Sequence, residues 1–218
     1  MFSEQLLGIR QPAAVHADCQ RLLRRGIAAG MRVLDIGCGD GTLLRDLAQL
    51  PGVDALGIEI DPSLVAAACA AGLDVRLGRA ESLPIPDASV DAVLCSVVVP
   101  YTDQQQAVRE WARVLRPGGI VNATYHGAGY GVHYVLAPPE GWRSRVYGAR
   151  MLLNTALYVP TGHRFPGFFG DTLCQTQGAM RRAAANAGLS LEFSQVVDRT
   201  LGIPRILFHG LRKAVGTR

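Results

Sequence analysis

One short run constrains the fold more than any other: Val33-Leu34-Asp35-Ile36-Gly37-Cys38-Gly39-Asp40-Gly41. Its first four residues suit a short buried strand. The chain then turns on glycines and enters Thr42 to Ala48, whose apolar spacing is helical. Glycines at a strand-to-helix turn let backbone approach a ligand closely, because no Cβ stands in the way. The helix that follows presents free N–H groups at its first turn. The run therefore predicts a βα turn of an α/β sheet, with a small, partly charged ligand seated over it.

The spacing narrows the ligand. A dinucleotide fingerprint reads G-x-G-x-x-G, its third glycine packing helix on strand. Here the pattern is G-x-G-x-G, and Thr42 follows. Asp35, at the end of the strand, disfavours a pyrophosphate and suits an ammonium group. This segment resembles motif I of the class I S-adenosylmethionine-dependent methyltransferases, of the small-molecule, type 11-like kind. The resemblance implies a ligand that carries both an ammonium and a sulfonium.

Further matches follow in the same order as in that family. Ala55 to Glu59 reads as a second strand ending in an acid, and Asp61-Pro62 opens the next helix. An acid at the end of strand two accepts hydrogen bonds from ribose hydroxyls, which assigns that role to Glu59 and leaves Asp61 as a helix cap. Val75 to Asp91 is similar to the family's segment that meets the adenine. Arg79 stands where the family often has Asp, so the Ala80 backbone takes the adenine contact, with Glu81 as the alternative. Asp91 to Ser96 reads as strand four. Gln104 to Leu115 reads as a helix, with Asp103 as its cap. Arg113-Val114-Leu115-Arg116-Pro117-Gly118-Gly119 is another resemblance, leading into strand five. Together these residues imply a cofactor site of Asp35, Gly37, Cys38, Gly39, Glu59, Ile60, Ala80, Glu81 and Ser96, holding S-adenosyl-L-methionine.

Length supports one domain over residues 1–218, with 49% hydrophobic residues for its core. The expected fold class is α/β: a Rossmann-like, seven-stranded class I methyltransferase sheet, mostly parallel with its last strand antiparallel, helices on both faces and a lid insertion after strand five. Residues 1–30 hold an N-terminal helix, expected over 13–29 with Leu22, Leu23 and Ile27 on its apolar side. Residues 31–125 form the cofactor-binding half. Residues 126–172 form the substrate lid, with a helix at Trp142 to Tyr158 presenting Val146, Ala149, Leu152, Leu153, Ala156 and Leu157 as an apolar face. Residues 173–218 supply the last helix, Gln177 to Ala187 stopped by Gly188, and a strand pair at Leu191 to Val197 and Ile206 to Leu211.

Composition limits the partners. Five cysteines at scattered spacings, with no C-x-x-C pair, argue for reduced thiols in the cytoplasm and against a disulfide framework or structural zinc. No metal site is expected. The formal charge of +4 raises nucleic acid as a substrate, but the arginines are scattered. The stretch after strand four, Cys95 to Tyr101, is apolar where base-amine methyltransferases carry a polar residue. Nucleic acid is therefore not expected. No stretch is apolar enough to span a membrane. Arg143, Arg145, Arg150 and the aromatics near them fit a peripheral membrane contact and fit a soluble lid equally.

Ligands of open α/β sheets bind beyond the carboxyl ends of the strands. The acceptor should meet the cofactor near Ser96 to Tyr101 and Tyr125 to Tyr134, under the insertion. Tyr101, Tyr125, His126, Tyr130, His133 and Tyr134 are the expected lining, together with Trp142, Tyr158, His163 and Phe165. Such a pocket suits a small hydrophobic or aromatic acceptor. The resemblance implies in-line SN2 methyl transfer with release of S-adenosyl-L-homocysteine. An oxygen or carbon acceptor also needs a base. His126, directly after strand five, is the first candidate because imidazole titrates near neutral pH, and His133 and Tyr101 are the second. The run Gly57 to Pro62 also resembles the MetW-type proteins, which implies a non-catalytic, partner-binding alternative. The full Leu115-Arg116-Pro117-Gly118-Gly119 turn departs from that group. Acceptor identity, acceptor atom and oligomeric state are not fixed by these residues.

Overall fold

The computed structural model describes residues 13–139, 141–161 and 172–215. His163 and Phe165 lie outside them. The glycine turn of the first strand sets the layout. β1 (Arg32–Ile36) leads through it into α2 (Thr42–Leu47), β2 (Asp54–Glu59) into α3 (Pro62–Ala70), and β3 (Val75–Leu77) follows. Asp61 caps α3 by accepting from Ser63 N at 2.8 Å, as its position before Pro62 predicts. β4 (Val90–Ser96) runs into a 3-10 turn (Val99–Tyr101) and α4 (Gln104–Val114), which Asp103 caps through Gln106 N.

β5 (Leu115–His126) and β7 (Ile203–Lys213) pair antiparallel, and β6 (Leu189–Thr200) lies outside β7. The sheet order is β3-β2-β1-β4-β5-β7-β6, with β1 to β5 mutually parallel. The expected seven-stranded sheet with an antiparallel last strand is therefore present. The Arg116 to Gly119 turn falls within the bounds of β5, where the pairing with β4 shifts register between Val90 and Ala92.

Two layers of core flank the sheet. On one face Val108, Trp111 and Val114 of α4, with Met180 and Ala184 of α7 (Gln177–Asn186), pack on Leu34, Val93, Val121 and Tyr125. On the other, Leu23 of α1 (Ala13–Leu23) packs with Leu43 and Leu47 on Val33 and Leu94. The first helix stops at Leu23 instead of running on to residue 29, and Gly26 follows at φ 74°. Asn122 Nδ2 donates to the Leu23 and Arg25 carbonyls at 2.8 and 2.7 Å, satisfying two of the oxygens left at that helix end.

The segment after β5 departs most from expectation. α5 (Ala128–Leu136) adds a second helix to the one expected in this segment, and α6 (Trp142–Thr161) lies against it. Its glycines are contact points. A Cβ on Gly129 would stand 2.4 Å from the Ile203 carbonyl oxygen, and one on Gly148 would stand 2.5 Å from Tyr134 Cβ. These absences let α5 seat against β7 and α6 seat against α5. The orientation of α6 is also a correction. Tyr147, Gly148, Met151 and Asn154 face inward, while Val146, Ala149, Leu153 and Ala156 of the expected buried face are exposed. Close approach at Gly148 and the tilted ring contact of Tyr147 with Tyr134, centroids 5.4 Å apart, decide which side of the helix is buried.

Candidate functional site

The carboxyl ends of β1, β2 and β4 converge on the glycine turn. Gly37, Gly39 and Gly41 all have positive φ, 71°, 56° and 76°, which L side chains rarely adopt. A Cβ on Gly37 would also lie 2.2 Å from Val98 Cγ2, so the turn is pressed against the loop leaving β4. Asp40 Oδ1 accepts from Thr42 N at 3.0 Å and ties the turn to the start of α2.

Two carboxylates lie behind this turn. Asp35 is 2% exposed, and among the described residues its carboxyl oxygens have no hydrogen-bond partner. Burial, and then the charge of Glu59, raise its pKa from 3.8 to about 7. Glu59, also buried, is bound tightly: Oε2 accepts from Gly39 N at 3.0 Å, and Oε1 accepts from Ile60 N at 2.8 Å and Asp61 N at 3.0 Å. Three of about four acceptor positions of that carboxylate are thus filled by backbone, and one remains. Ile60 is 41% exposed beside it, an apolar surface at the rim. Cys38 is buried against Gly57, where a Cβ would meet its sulfur at 2.6 Å, and burial pushes the thiol up to about 12, far from a reactive thiolate.

The structure brings Asp35, Gly37, Cys38, Gly39, Glu59 and Ile60 together at one edge. Ala80 is buried nearby in the core. Glu81 is occupied, its carboxylate accepting from Asp103 N at 3.1 Å and lying 3.7 Å from Arg79. Ser96 ends β4, its hydroxyl 3.4 Å from that of Thr124 on β5.

The acceptor-side residues are placed differently. Side chains alternate along a strand, so Tyr125 and His126 face opposite sides of the sheet. Tyr125 is fully buried among core residues on the α4 and α7 face, its hydroxyl 2.7 Å from His209 Nδ1. His126 is fully buried on the other face, its ring stacked on Tyr130 with centroids 3.6 Å apart and planes 8° apart. Tyr130 and Tyr134 join Tyr147, Met151 and Cys174 in a buried cluster, the two tyrosine hydroxyls 2.9 Å apart. His133 is half-buried, its pKa lowered by desolvation and by Arg205, against a rise from Asp198. Tyr101 is half-buried in the turn after β4. Residues 172–175 cross the carboxyl edge of the sheet, with Leu173 N donating to Pro100 O at 3.0 Å and Gln175 N to His126 O at 2.7 Å.

Two further features mark this edge. Thr124 stands two positions before His126 on the same strand face, a relation that period-two counting finds. Val97 holds φ 59°, a strained conformation for a β-branched residue, where β4 gives way to the loop packed on Gly37. Strain of that kind gathers at ligand sites, and nothing in the sequence signals it.

Residues 34–123 match the family model described as a methyltransferase domain. The chain is also similar in structure to an S-adenosylmethionine-dependent methyltransferase from Mesorhizobium loti, with TM-score 0.68 and 18% identity over 92% of this chain and 99% of that one. The sheet is a class I methyltransferase fold. Among relatives in sequence, a probable S-adenosylmethionine-dependent methyltransferase of Mycolicibacterium smegmatis is 42% identical over 107 residues, 46% of this chain and 39% of that protein. A ubiquinone biosynthesis O-methyltransferase of Xanthomonas oryzae pv. oryzae is 38% identical over 99 residues, 42% of this chain and 41% of that protein. The chain thus spans about two fifths of the length of these curated relatives. The matched methyltransferase segment includes Asp35 to Gly41 and Glu59 and ends within β5. The MetW-type alternative gains no support from these similarities.

Proposed function

We propose that this chain transfers a methyl group from S-adenosyl-L-methionine to a small, largely apolar or aromatic acceptor. One observation carries the reading: a buried Asp35 carboxyl without a hydrogen-bond partner stands beside Glu59 at a positive-φ glycine turn. Two carboxylates so close favour a cationic ligand and disfavour a pyrophosphate.

The residues fit that cofactor, which when bound supplies an activated methyl on a sulfonium leaving group. Asp35 would face its ammonium, directly or through water. Glu59 would accept from a ribose hydroxyl at its remaining acceptor position. Ile60 would cover the adenine face. The Gly37 and Gly39 backbone would allow close approach. The protein then mainly aligns donor and acceptor and excludes water.

On the acceptor side, α5 and α6 form the proposed cover, with Ser96, Thr124 and Tyr101 at the mouth. The apolar acceptor is supported by the aromatic lining and by the name of the Xanthomonas relative. His126 is kept as the candidate base. In this role the Tyr130 ring, which covers it, must swing aside on acceptor binding. The five cysteines are all free among the described residues, which fits a reducing compartment such as the cytoplasm.

Incubation with methyl-labelled S-adenosylmethionine and a panel of phenols, quinols and fatty amines tests the reading. Label in an extractable apolar product, with stoichiometric S-adenosylhomocysteine, is expected. Tight cofactor binding without transfer to any apolar acceptor, but with transfer to a polar one, would overturn the acceptor class.

A further inference from the structure

α6 carries apolar side chains on its outer side as well as on its buried one. It buries Ser144, Tyr147, Asn154 and Met151 against α5 and the strap at residues 172–175, with Asn154 Nδ2 donating to the Thr172 carbonyl at 3.3 Å. Its outer face carries Trp142, Val146, Ala149, Leu153 and Ala156, which recur at helical spacing and are all exposed, Trp142 at 72% and Leu153 at 49%. At 1.5 Å per residue, the stripe they form is about 20 Å long.

The stripe has a basic rim. Arg143 and Arg150 flank one side and Arg145 the other, by helical position. The α6 sequence holds no Asp or Glu, and among the described residues Arg143 and Arg145 have no carboxylate partner. Arg143 instead lies over the Trp142 ring, 5.8 Å from its centroid. No helix of the described residues is long and apolar enough to cross a membrane.

We propose that the outer face of α6 docks flat on a lipid bilayer surface carrying anionic headgroups. An apolar centre between arginines, with a tryptophan at one end, is the pattern of a helix lying in the interfacial plane. The face is a single convex helix. A bilayer accepts a convex apolar ridge without a preformed groove, and anionic headgroups complement arginines on both sides of it. α5 joins α6 to the end of β5, so docking would turn the acceptor side of the sheet toward the bilayer. That consequence, unlike the docking itself, rests on the methyl-transfer reading.

Co-sedimentation of the full chain with vesicles tests the docking. One set is phosphatidylcholine alone and the other includes phosphatidylglycerol, with tryptophan emission read alongside. The chain has two tryptophans, and Trp111 is fully buried, so a blue shift reports Trp142. Binding to the anionic vesicles with a blue shift is expected, weakened by salt. Arg143→Ala with Arg145→Ala should weaken it about 25-fold, as each basic residue near an anionic surface contributes about fivefold. Leu153→Glu should abolish it, and Arg181→Ala with Arg182→Ala, exposed on α7, should leave it unchanged. All three variants should keep the parental unfolding temperature, because the replaced side chains are exposed. Equal binding to neutral and anionic vesicles, or binding to neither, would overturn the proposal. So would a dimer in light scattering that Leu153→Glu dissociates, which would assign the face to a second copy. None of these readouts needs a methyl donor, so docking stands or falls apart from the proposed reaction.

Discussion

The Glu59 carboxylate accepts a hydrogen bond from the Gly39 N–H at 3.0 Å, fastening the end of β2 to the turn that follows β1. The same side chain accepts from the Ile60 and Asp61 amides. It therefore shapes the site as well as facing it. Glu59→Ala should cost on the order of 2–4 kcal/mol, because charged hydrogen bonds are lost and backbone donors are left buried. It should also weaken S-adenosylmethionine binding at least tenfold. Thermal unfolding and calorimetry on the same preparation check both.

Asp35 should set a pH dependence of stability in the ligand-free protein. Its pKa is raised from 3.8 to about 7, by burial and then by Glu59. Between about pH 4 and pH 7 the folded protein holds a proton that the unfolded chain has released. The stability from this group is thus greatest in acid and falls as pH rises through that window. Asp35→Asn should melt higher than the parent at pH 8 and at about the same temperature at pH 4. The same variant should bind S-adenosylmethionine at least tenfold more weakly. Equal melting at pH 8 would mean that the carboxyl is not held out of water.

His126 packs on Tyr130 and is also the proposed base, and one substitution separates the two. His126→Phe keeps a ring to stack on Tyr130 and removes both nitrogens. Unfolding temperature and cofactor affinity should stay close to the parent, while kcat falls by about 10² or more, the range of a lost general base. An unchanged kcat would leave His126 a packing residue alone.

Glycine to alanine should have opposite signs at two helical sites. At Gly148 a Cβ would meet Tyr134 Cβ at 2.5 Å and the Gly131 carbonyl oxygen at 2.7 Å, so Gly148→Ala must push α5 and α6 apart. A loss of about 1–3 kcal/mol is expected, the usual cost of overpacking. At Gly178 the nearest atom is the end of Arg182 at 3.5 Å, so Gly178→Ala should gain about 0.5–1 kcal/mol from the restricted unfolded chain. Denaturant titration of the two variants measures both.

Local signals made the cofactor half readable. Glycines at Gly37, Gly39 and Gly41 occupy the left-handed turn that their spacing implies, and Asp61 and Asp103 cap the helices they precede. The half after β5 was obscured by packing. Gly129, Gly131 and Gly148 each lie where a Cβ would strike a neighbouring element, a demand that local sequence does not reveal. The apolar side of α6 looked like its buried side, yet contacts at Tyr147 and Gly148 turned the other side inward. Tyr125 and His126, consecutive in sequence, read as neighbours in one pocket, although adjacent strand residues point to opposite faces. Val97, strained at φ 59°, precedes Val98, which is pressed on Gly37 of a segment about 60 residues earlier in the sequence.

The Asp35 and Glu59 edge is proposed to bind an adenosyl ligand through its ammonium group. Calorimetric titration of the full chain with S-adenosylmethionine and S-adenosylhomocysteine, with NAD as control, tests it most directly. Micromolar binding of both adenosyl ligands, none of NAD, and loss of binding in Asp35→Ala are expected. Binding of NAD, or adenosyl binding that Asp35→Ala leaves unchanged, would contradict it.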